Sequence, residues 1–478
     1  MALSFVQEPI GDSTTSPVIT NWTPLVPYTL RRDASIAALF YYKLVLEVRI
    51  DDASGELLAK IKQRRNGLAS DVTSNLARAT FDLRDIVNSQ LEDTIYDNTD
   101  RTKTIHKVGV NNAAYPFSFN NHQVKTIYVK GYENYSSAAN ISPGDVDDDA
   151  VNDTKFYIGA SLDLNTARGT ADFQDTAFVD YSLNGATRLF LSDLQRQGYA
   201  LAIGGTEGRL NYIQETDYHT IGFLNGETDF NSLPVRIHVM FYDSSGSQIA
   251  SGGTTYITNI ATAGGAVPTT SGSEVDANAE RLLYFGCGAA NLEAQSVNTD
   301  LRPSAYSNWA FYTVQATNGS DSSVSDKYYF IKQDGSCKGF KVRRLAWRNS
   351  KGCYDYYNFK MKSTQTLEVK RNNYETMLGD FSATMYLYNN FSRGKNTRNT
   401  TAILKETIQT DWITEADAVL LENLIMSTNV QIVENADTRH TVPVMVTDNS
   451  FIKKTVANDK MIKYTINIEY ANPINTNS

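Results

Sequence analysis

The sequence has little cysteine, little histidine, no long apolar run and no basic block. Its three cysteines, Cys287, Cys337 and Cys353, are odd in number and widely spaced, with no C-x-x-C. A disulfide framework and a zinc site therefore both lack their signature, and buried free thiols are expected. The five histidines, His106, His122, His219, His238 and His440, lie far apart. None has a ligand partner at i+2 or i+4, so each reads as structural or surface rather than metal-binding. No 18 apolar residues follow one another, so no membrane-spanning helix is expected. The opening MALSFVQEPIGD lacks a basic region and its apolar run breaks at Gln7 and Glu8, so no secretory leader is expected either. Net charge is −9 and spread along the chain, which omits the electrostatic footprint of a nucleic-acid binder.

Motifs that carry chemistry are also missing. Asp145-Val146-Asp147-Asp148-Asp149 begins like a calcium loop, but Ala150 replaces the turn glycine and Phe156 stands where a bidentate glutamate is needed. It reads as a solvated acidic loop. Gly204-Gly205-Thr206-Glu207-Gly208 has no following Lys-Ser/Thr and runs into the strand-like LNYIQE, so it offers a turn and no phosphate cradle. There is no G-x-S-x-G. No catalytic, metal-binding or cofactor-binding residue is assigned, and a non-enzymatic protein is expected.

What is present points to β-structure. The chain has 28 Tyr and 20 Phe, with Thr, Asn and Ser in short alternating runs, and its hydrophobic and charged shares of 41% and 20% are those of a folded protein. Its 478 residues exceed one ordinary core. FYYKLVLEVRIDDASGELLAKIK, from residue 40, puts Leu44, Leu46, Val48 and Ile50 on one face of a hairpin that turns at Asp51 to Gly55. VRIHVMFYDSSGSQIA, from residue 235, repeats the device with Ile237, Val239 and Phe241. Between them AAYPFSFN, VKTIYVKGY, TKFYIGASLDL and RLFLSDL read as strands, 134–154 and 243–280 as polar loops, and FDLRDIVNSQLED as a short amphipathic helix carrying Leu83, Ile86, Val87 and Leu91.

From about 305 consecutive strands follow: NWAFYTVQA, DKYYFIKQ, GFKVRRLAW, CYDYYNFKM, QTLEVKR and ATMYLYN. The hairpin LAWRNSKGCYDYYNFKM places Cys353, Asp355, Tyr357, Phe359 and Met361 on one face and Tyr354, Tyr356, Asn358 and Lys360 on the other. Aromatic residues in strands usually pack across strands, so it reads as sheet interior rather than a ligand platform. WITEADAVLLENLIMS predicts a helix capped by Thr414, with Asp417 at the third position, a stripe of Ala416, Val419, Leu420 and Leu424, and Trp412 beneath it. The last strand sets Ile462, Tyr464, Ile466, Ile468 and Tyr470 on one face. The turn before it carries Lys453, Lys454 and Lys460 against Asp448 and Asp459, a mixed-charge tip suited to reaching a second copy.

The order of these features resembles virion structural proteins of tailed phages, especially those of marine and Bacteroidetes-type hosts. The resemblance lies in ASIAALFYYKLVLEVRI through ATFDLRDIVNSQLED, in RLLYFGCGAANL, in FKVRRLAWRNSKGCYDYYNFKM, and in the closing DWITEADAVLLENLIMSTNVQIV, TVPVMVTDNSFIKKT and KYTINIEYANP. It covers most of 30–95 and 280–474; the usual Gly-Gly of the signature turn is here only Ser350-Lys351-Gly352. The resemblance implies a tail, baseplate or neck component made in the host cytoplasm and carried in the virion, with a ring-forming closing domain.

The expected fold is mainly β and multidomain: a β-sandwich-like module at 1–105, a second loop-rich β-domain at 106–290, and an α+β assembly domain at 291–478. The expected function is a non-enzymatic virion protein that self-assembles into a closed homo-oligomer and joins neighbouring virion proteins. The alternative is a carbohydrate-binding host-recognition protein whose Tyr- and Asn-rich loops in 110–280 hold a surface glycan. No cofactor, nucleic acid or membrane span is expected in either case.

Overall fold

A computed structural model describes residues 3–9, 18–21, 27–65, 76–92, 95–97, 100–119, 123–161, 190–197, 208–224, 236–250, 252–259, 266–268, 274–276, 282–317, 321–333, 339–381, 384–387, 394–434, 441–448, 450, 452 and 462–477. These residues form a mainly β protein with several sheets and a few short helices. The chain divides into two compact units. One comprises Met1–Lys332 with Arg348–Asp355, and the other Gln333–Trp347 with Tyr356–Ser478. Residues 291–332, placed by sequence with the closing domain, thus belong to the first unit.

In the first unit the strands Leu3–Gln7, Tyr28–Arg32 and Ala77–Phe81 make a three-stranded sheet. A five-stranded sheet runs in the order Val18–Asn21, Gly144–Ser161, Val124–Ser136, Phe40–Ile50, Leu57–Gln63. Alternation explains the packing: Leu44, Leu46 and Val48 join Leu30, Ala79, Phe81, Ile127 and Tyr157 in one buried cluster drawn from both sheets.

Two elements of this unit differ from the sequence pattern. The acidic stretch at 145–149 is strand, not loop. Two of its aspartates meet lysines of other strands, Asp145 accepting from Lys60 at 2.6 Å and Lys62 at 2.8 Å, and Asp147 from Lys130 at 2.7 Å. Those pairs satisfy the carboxylates and let the hairpin continue. The helix predicted over 81–93 shrinks to Arg84–Asn88, with Leu83 and Val87 buried and Ile86 and Leu91 packed at their margin.

Further along, a six-stranded sheet runs in the order Arg196–Gln197, Gly208–Ile213, Tyr328–Lys332, Phe311–Thr317, Arg236–Tyr242, Tyr256–Thr258. A three-stranded sheet holds Thr220–Leu224, Leu282–Gly286 and Phe117–Phe119. Aromatic edges join them: Phe190 meets Phe223 at 6.0 Å and Tyr328 at 5.3 Å between centroids, both edge-on. The expected turn after Phe241 forms as Asp243 accepts the amides of Ser245 and Ser247, with Gly246 at φ 82°. The rest of the expected 243–280 loop includes the short strands Tyr256–Thr258, Ala266–Pro268 and Glu274–Asp276.

The second unit is built on one large sheet. From one edge it runs Tyr354–Phe359, Arg343–Arg348, Val430–Val433, Thr441–Val446, Thr465–Tyr470, Lys395–Gln409, Thr364–Glu375, with Ile474–Asn477 also pairing Lys395–Gln409. The strand Lys395–Gln409, not foreseen from sequence, is the longest in this sheet. The strand expected to close the chain keeps most of its alternation, with Ile462, Tyr464, Ile466 and Ile468 buried and Thr465 and Asn467 exposed, but Tyr470 is only half-buried and the further strand Ile474–Asn477 follows it.

Helix Glu415–Met426 begins with a full capping box between Thr414 and Asp417. The stripe is rotated from the expected one. Asp417, Ala418, Leu420, Leu421 and Leu424 are buried and Val419 is 38% exposed, so the buried face follows the 417/420/421/424 spacing and Val419 falls outside it. Trp412 is 64% exposed and does not lie under the helix. Of the closing turn, Lys453, Lys454, Asp459 and Lys460 lie outside the described residues.

Candidate functional site

The segment RNSKGCYD, Arg348–Asp355, forms the tip of the aromatic hairpin and belongs to the first unit. Asn349 is buried and organises it. Its Oδ1 accepts from the amides of Lys351 at 3.1 Å and Cys353 at 2.9 Å, and its Nδ2 donates to the Leu191 carbonyl at 3.0 Å. Gly352 sits at φ 86°, and a Cβ there would meet the Gly159 carbonyl oxygen at 2.8 Å. Only glycine meets both demands.

Against this tip lies Phe190–Leu194, read from sequence as part of a strand but irregular in the structure. The departure has a physical cause, since Ser192 and Asp193 use their polar groups on the tip instead of a ladder. Ser192 Oγ donates to Asp355 Oδ1 at 2.5 Å and the Asp193 amide donates to Asp355 Oδ2 at 2.8 Å. The Ser350 amide donates to Asp193 Oδ2 at 2.7 Å, and the Ser350 hydroxyl donates to Asp193 Oδ1. Two buried aspartates therefore interlock, each satisfied by the other's segment.

Burial, and then the charge of Asp193, push the Asp355 carboxyl up to about 7. Burial likewise raises Asp193, opposed by Ser350. Burial raises the Cys353 thiol to about 12, so it is an inert thiol and not a nucleophile at neutral pH. The junction can hold a proton and a loop.

The sequence-singled residues do not converge. His106 and His219 are buried and stack edge-on against Tyr354 and Phe330 respectively. His238 lies 3.4 Å from Asp321. His122, His440, Cys337 and Gly204–Glu207 lie outside the described residues; Gly208 opens the strand Gly208–Ile213. Cys287 and Cys353 are buried free thiols. Among the described residues no group of three or more His, Cys, Asp or Glu could hold a metal ion, and no helix is long and apolar enough to cross a membrane. The aromatic hairpin is sheet interior: Trp347, Tyr354, Tyr356 and Phe359 are all buried.

The second unit offers a surface instead. Thr364–Glu375 and Lys395–Gln409 pair in antiparallel register from Thr364 opposite Thr407 to Glu375 opposite Lys395, making a long arm. Every residue of Thr364–Glu375 is exposed except half-buried Val369. Apolar side chains nevertheless sit on it and beyond its end, with Leu367 54%, Met377 68% and Met385 60% exposed.

The arm's base is fixed by a buried ion pair. Arg343 Nε donates to Glu406 Oε1 at 2.7 Å, while Tyr470 and Gln365 donate to Oε2 at 2.8 Å and 3.0 Å. Burial pushes Glu406 up, but these donors outweigh it and leave the carboxyl below its usual range. Sequence reasoning missed this network because its four members lie on four strands.

Comparison of the sequence with protein-family models and with curated proteins finds no match.

Proposed function

We propose that this chain is a non-enzymatic structural protein of a tailed-phage virion, from tail, baseplate or neck, which self-assembles and joins neighbouring virion proteins. The observation that carries the reading is the arm Thr364–Glu375/Lys395–Gln409. It is a long ladder anchored at its base by Arg343 and Glu406, and its outer strand is exposed over its length. A monomer gains little from holding such an arm out in water, whereas an assembly gains a rigid contact element. The ordered loops of the first unit are tied inward by buried polar groups, which suits a load-bearing scaffold better than a turnover site. In this reading the two sheet pairs of the first unit are sandwich-like modules and the second unit is the α+β assembly domain. Negative-stain microscopy of the purified full chain is expected to show closed oligomers of uniform size; a field of single particles at every concentration contradicts it.

The glycan-binding alternative has one observation in its favour, although the aromatic residues concerned lie at 41–42 and not in the 110–280 loops expected to hold the sugar. A cleft of about 500 Å³ is lined by Tyr41, Tyr42, Lys43, Arg64, Asn140 and Ile141. Tyr41 is 59% exposed, stands at φ 56°, and donates to the Ala139 carbonyl at 2.8 Å, a held aromatic of the kind sugars stack on. A glycan array probed with wild type and Tyr41→Ala tests it; binding that Tyr41→Ala abolishes makes this the better reading.

A further inference from the structure

The strand Thr364–Glu375 ends its sheet, and among the described residues no strand pairs with its outer edge. Its 12 residues extend about 40 Å at about 3.3 Å per residue. So long an open row of backbone donors and acceptors invites another strand, and natural edges of this length are usually blunted by a bulge, a proline or a row of lysines. This edge carries no proline, the break in its ladder lies towards its far end at Asn372/Asn373, and its charges alternate in sign through the centre, with Glu368, then Val369, then Lys370.

Over nearly the whole length of the strand that pattern is self-complementary in one register; centring on Asn373 would pair Arg371 with Glu375 but overlaps only residues 371–375 of the strand. Directly opposed residues of an antiparallel pair share a face, so two copies related by a two-fold axis must be centred on one residue facing itself. Centring on Glu368 or on Lys370 sets like charges face to face, and centring on Arg371 does the same. Centring on Leu367 leaves Glu368 opposite Thr366 and Lys370 opposite Thr364, with no charge pair. Centring on Val369 sets Glu368 opposite Lys370 twice, Leu367 against the aliphatic stem of Arg371 twice, and Thr364 opposite Tyr374. Lys405, 2.6 Å from Glu368 on the neighbouring strand of the same copy, extends each charge pair into a row of three.

We propose that two copies of this chain join edge to edge through Thr364–Tyr374, in the register centred on Val369, continuing the sheet across a two-fold axis. The proposal deepens the self-association reading, on which it rests, and does not depend on where in a particle the protein sits. Both backbone edges become paired, and the most exposed strand of the second unit becomes internal.

Charge reversal in the full-length chain tests it. Lys370→Glu sets a carboxylate against the partner's Glu368 at two symmetric points and is expected to weaken the dimer contact about tenfold; Glu368→Lys should do the same. Mixing the two variants restores opposite charges at both points, so they should associate with each other though neither associates well alone. Lys362→Glu, an equal charge change outside the paired span, should have no effect. Under a mild oxidant Val369→Cys should crosslink two chains, because opposed Cα atoms lie about 4.5–5.5 Å apart, within disulfide reach. Leu367→Cys should not, since its counterpart is displaced by four residues. A wild-type chain that stays monomeric overturns both this contact and the self-association reading. An oligomer untouched by Lys370→Glu, or one in which Leu367→Cys crosslinks as readily as Val369→Cys, overturns only the edge contact.

Discussion

Asp193 donates its backbone N–H to Asp355 Oδ2 at 2.8 Å across a sequence separation of 162 residues. With the reciprocal bonds from Ser350 to Asp193, it makes two buried carboxyl groups the lock between a hairpin tip and an irregular segment. The pair is costly to charge fully and costly to leave unmet, so it reports directly on whether the tip is seated.

The first prediction concerns pH. Asp355 is raised to about 7 in the folded chain, against about 4 for an unfolded aspartate. The folded state therefore keeps a proton that the unfolded state releases. The stability from this group is fully present below about pH 4 and is lost as pH rises through about 7. In Asp355→Asn, which cannot titrate, urea unfolding across that interval should lose this slope. Parallel curves for variant and wild type contradict the assignment.

Asn349→Ala should destabilise the first unit by about 3 kcal/mol, because it removes three side-chain hydrogen bonds at a buried position. Asn349→Asp should cost more. It keeps the acceptor but sets a third carboxyl beside Asp193 and Asp355 and leaves the Leu191 carbonyl without its donor. Equal small losses for both indicate that the tip is not held by this side chain.

Glu406 behaves oppositely to Asp355. Its carboxyl is held below the usual range, so its contribution is present above the unfolded value of about 4.3 and lost as pH falls through the folded one. At neutral pH Glu406→Gln should cost about 3 kcal/mol by removing the charge against Arg343 and leaving it only the longer pair to Glu434 at 3.6 Å, and the double change Arg343→Met with Glu406→Leu should cost less than either single change. A double-mutant cycle by chemical denaturation checks this; additive losses refute the coupling.

At the helix start, Thr414→Ala should cost about 1 kcal/mol through the capping box. Trp412→Ala should cost less, since the indole is 64% exposed. This order reverses what a buried tryptophan implies, and thermal unfolding of the two variants decides it.

Elements whose residues alternate or cap locally were legible in the sequence. The strands around Leu44–Val48, Ile237–Phe241 and Ile462–Ile468, and the Thr414–Asp417 cap, follow from period and residue type. The misreadings share one cause, which is long-range partners that no local pattern carries. Asp145 and Asp147 looked like loop because the lysines that neutralise them are up to 85 residues away. RLFLSDL looked like strand because the groups that claim Ser192 and Asp193 come from 349–355. Lys395–Gln409 escaped because its Asn- and Thr-rich start resembles a polar loop until it meets Thr364–Glu375. The alternating charges of 368–370 stand in the sequence, but only the sheet order shows that they lie on a strand whose outer edge has no partner among the described residues.

The measurement that tests self-assembly most directly is the mass of the purified full-length chain in solution by light scattering, from sub-micromolar to high micromolar concentration. Self-assembly requires a discrete multiple of the 53.1 kDa protomer, dissociating on dilution and holding at its upper limit. A mass equal to one chain across the whole range contradicts it.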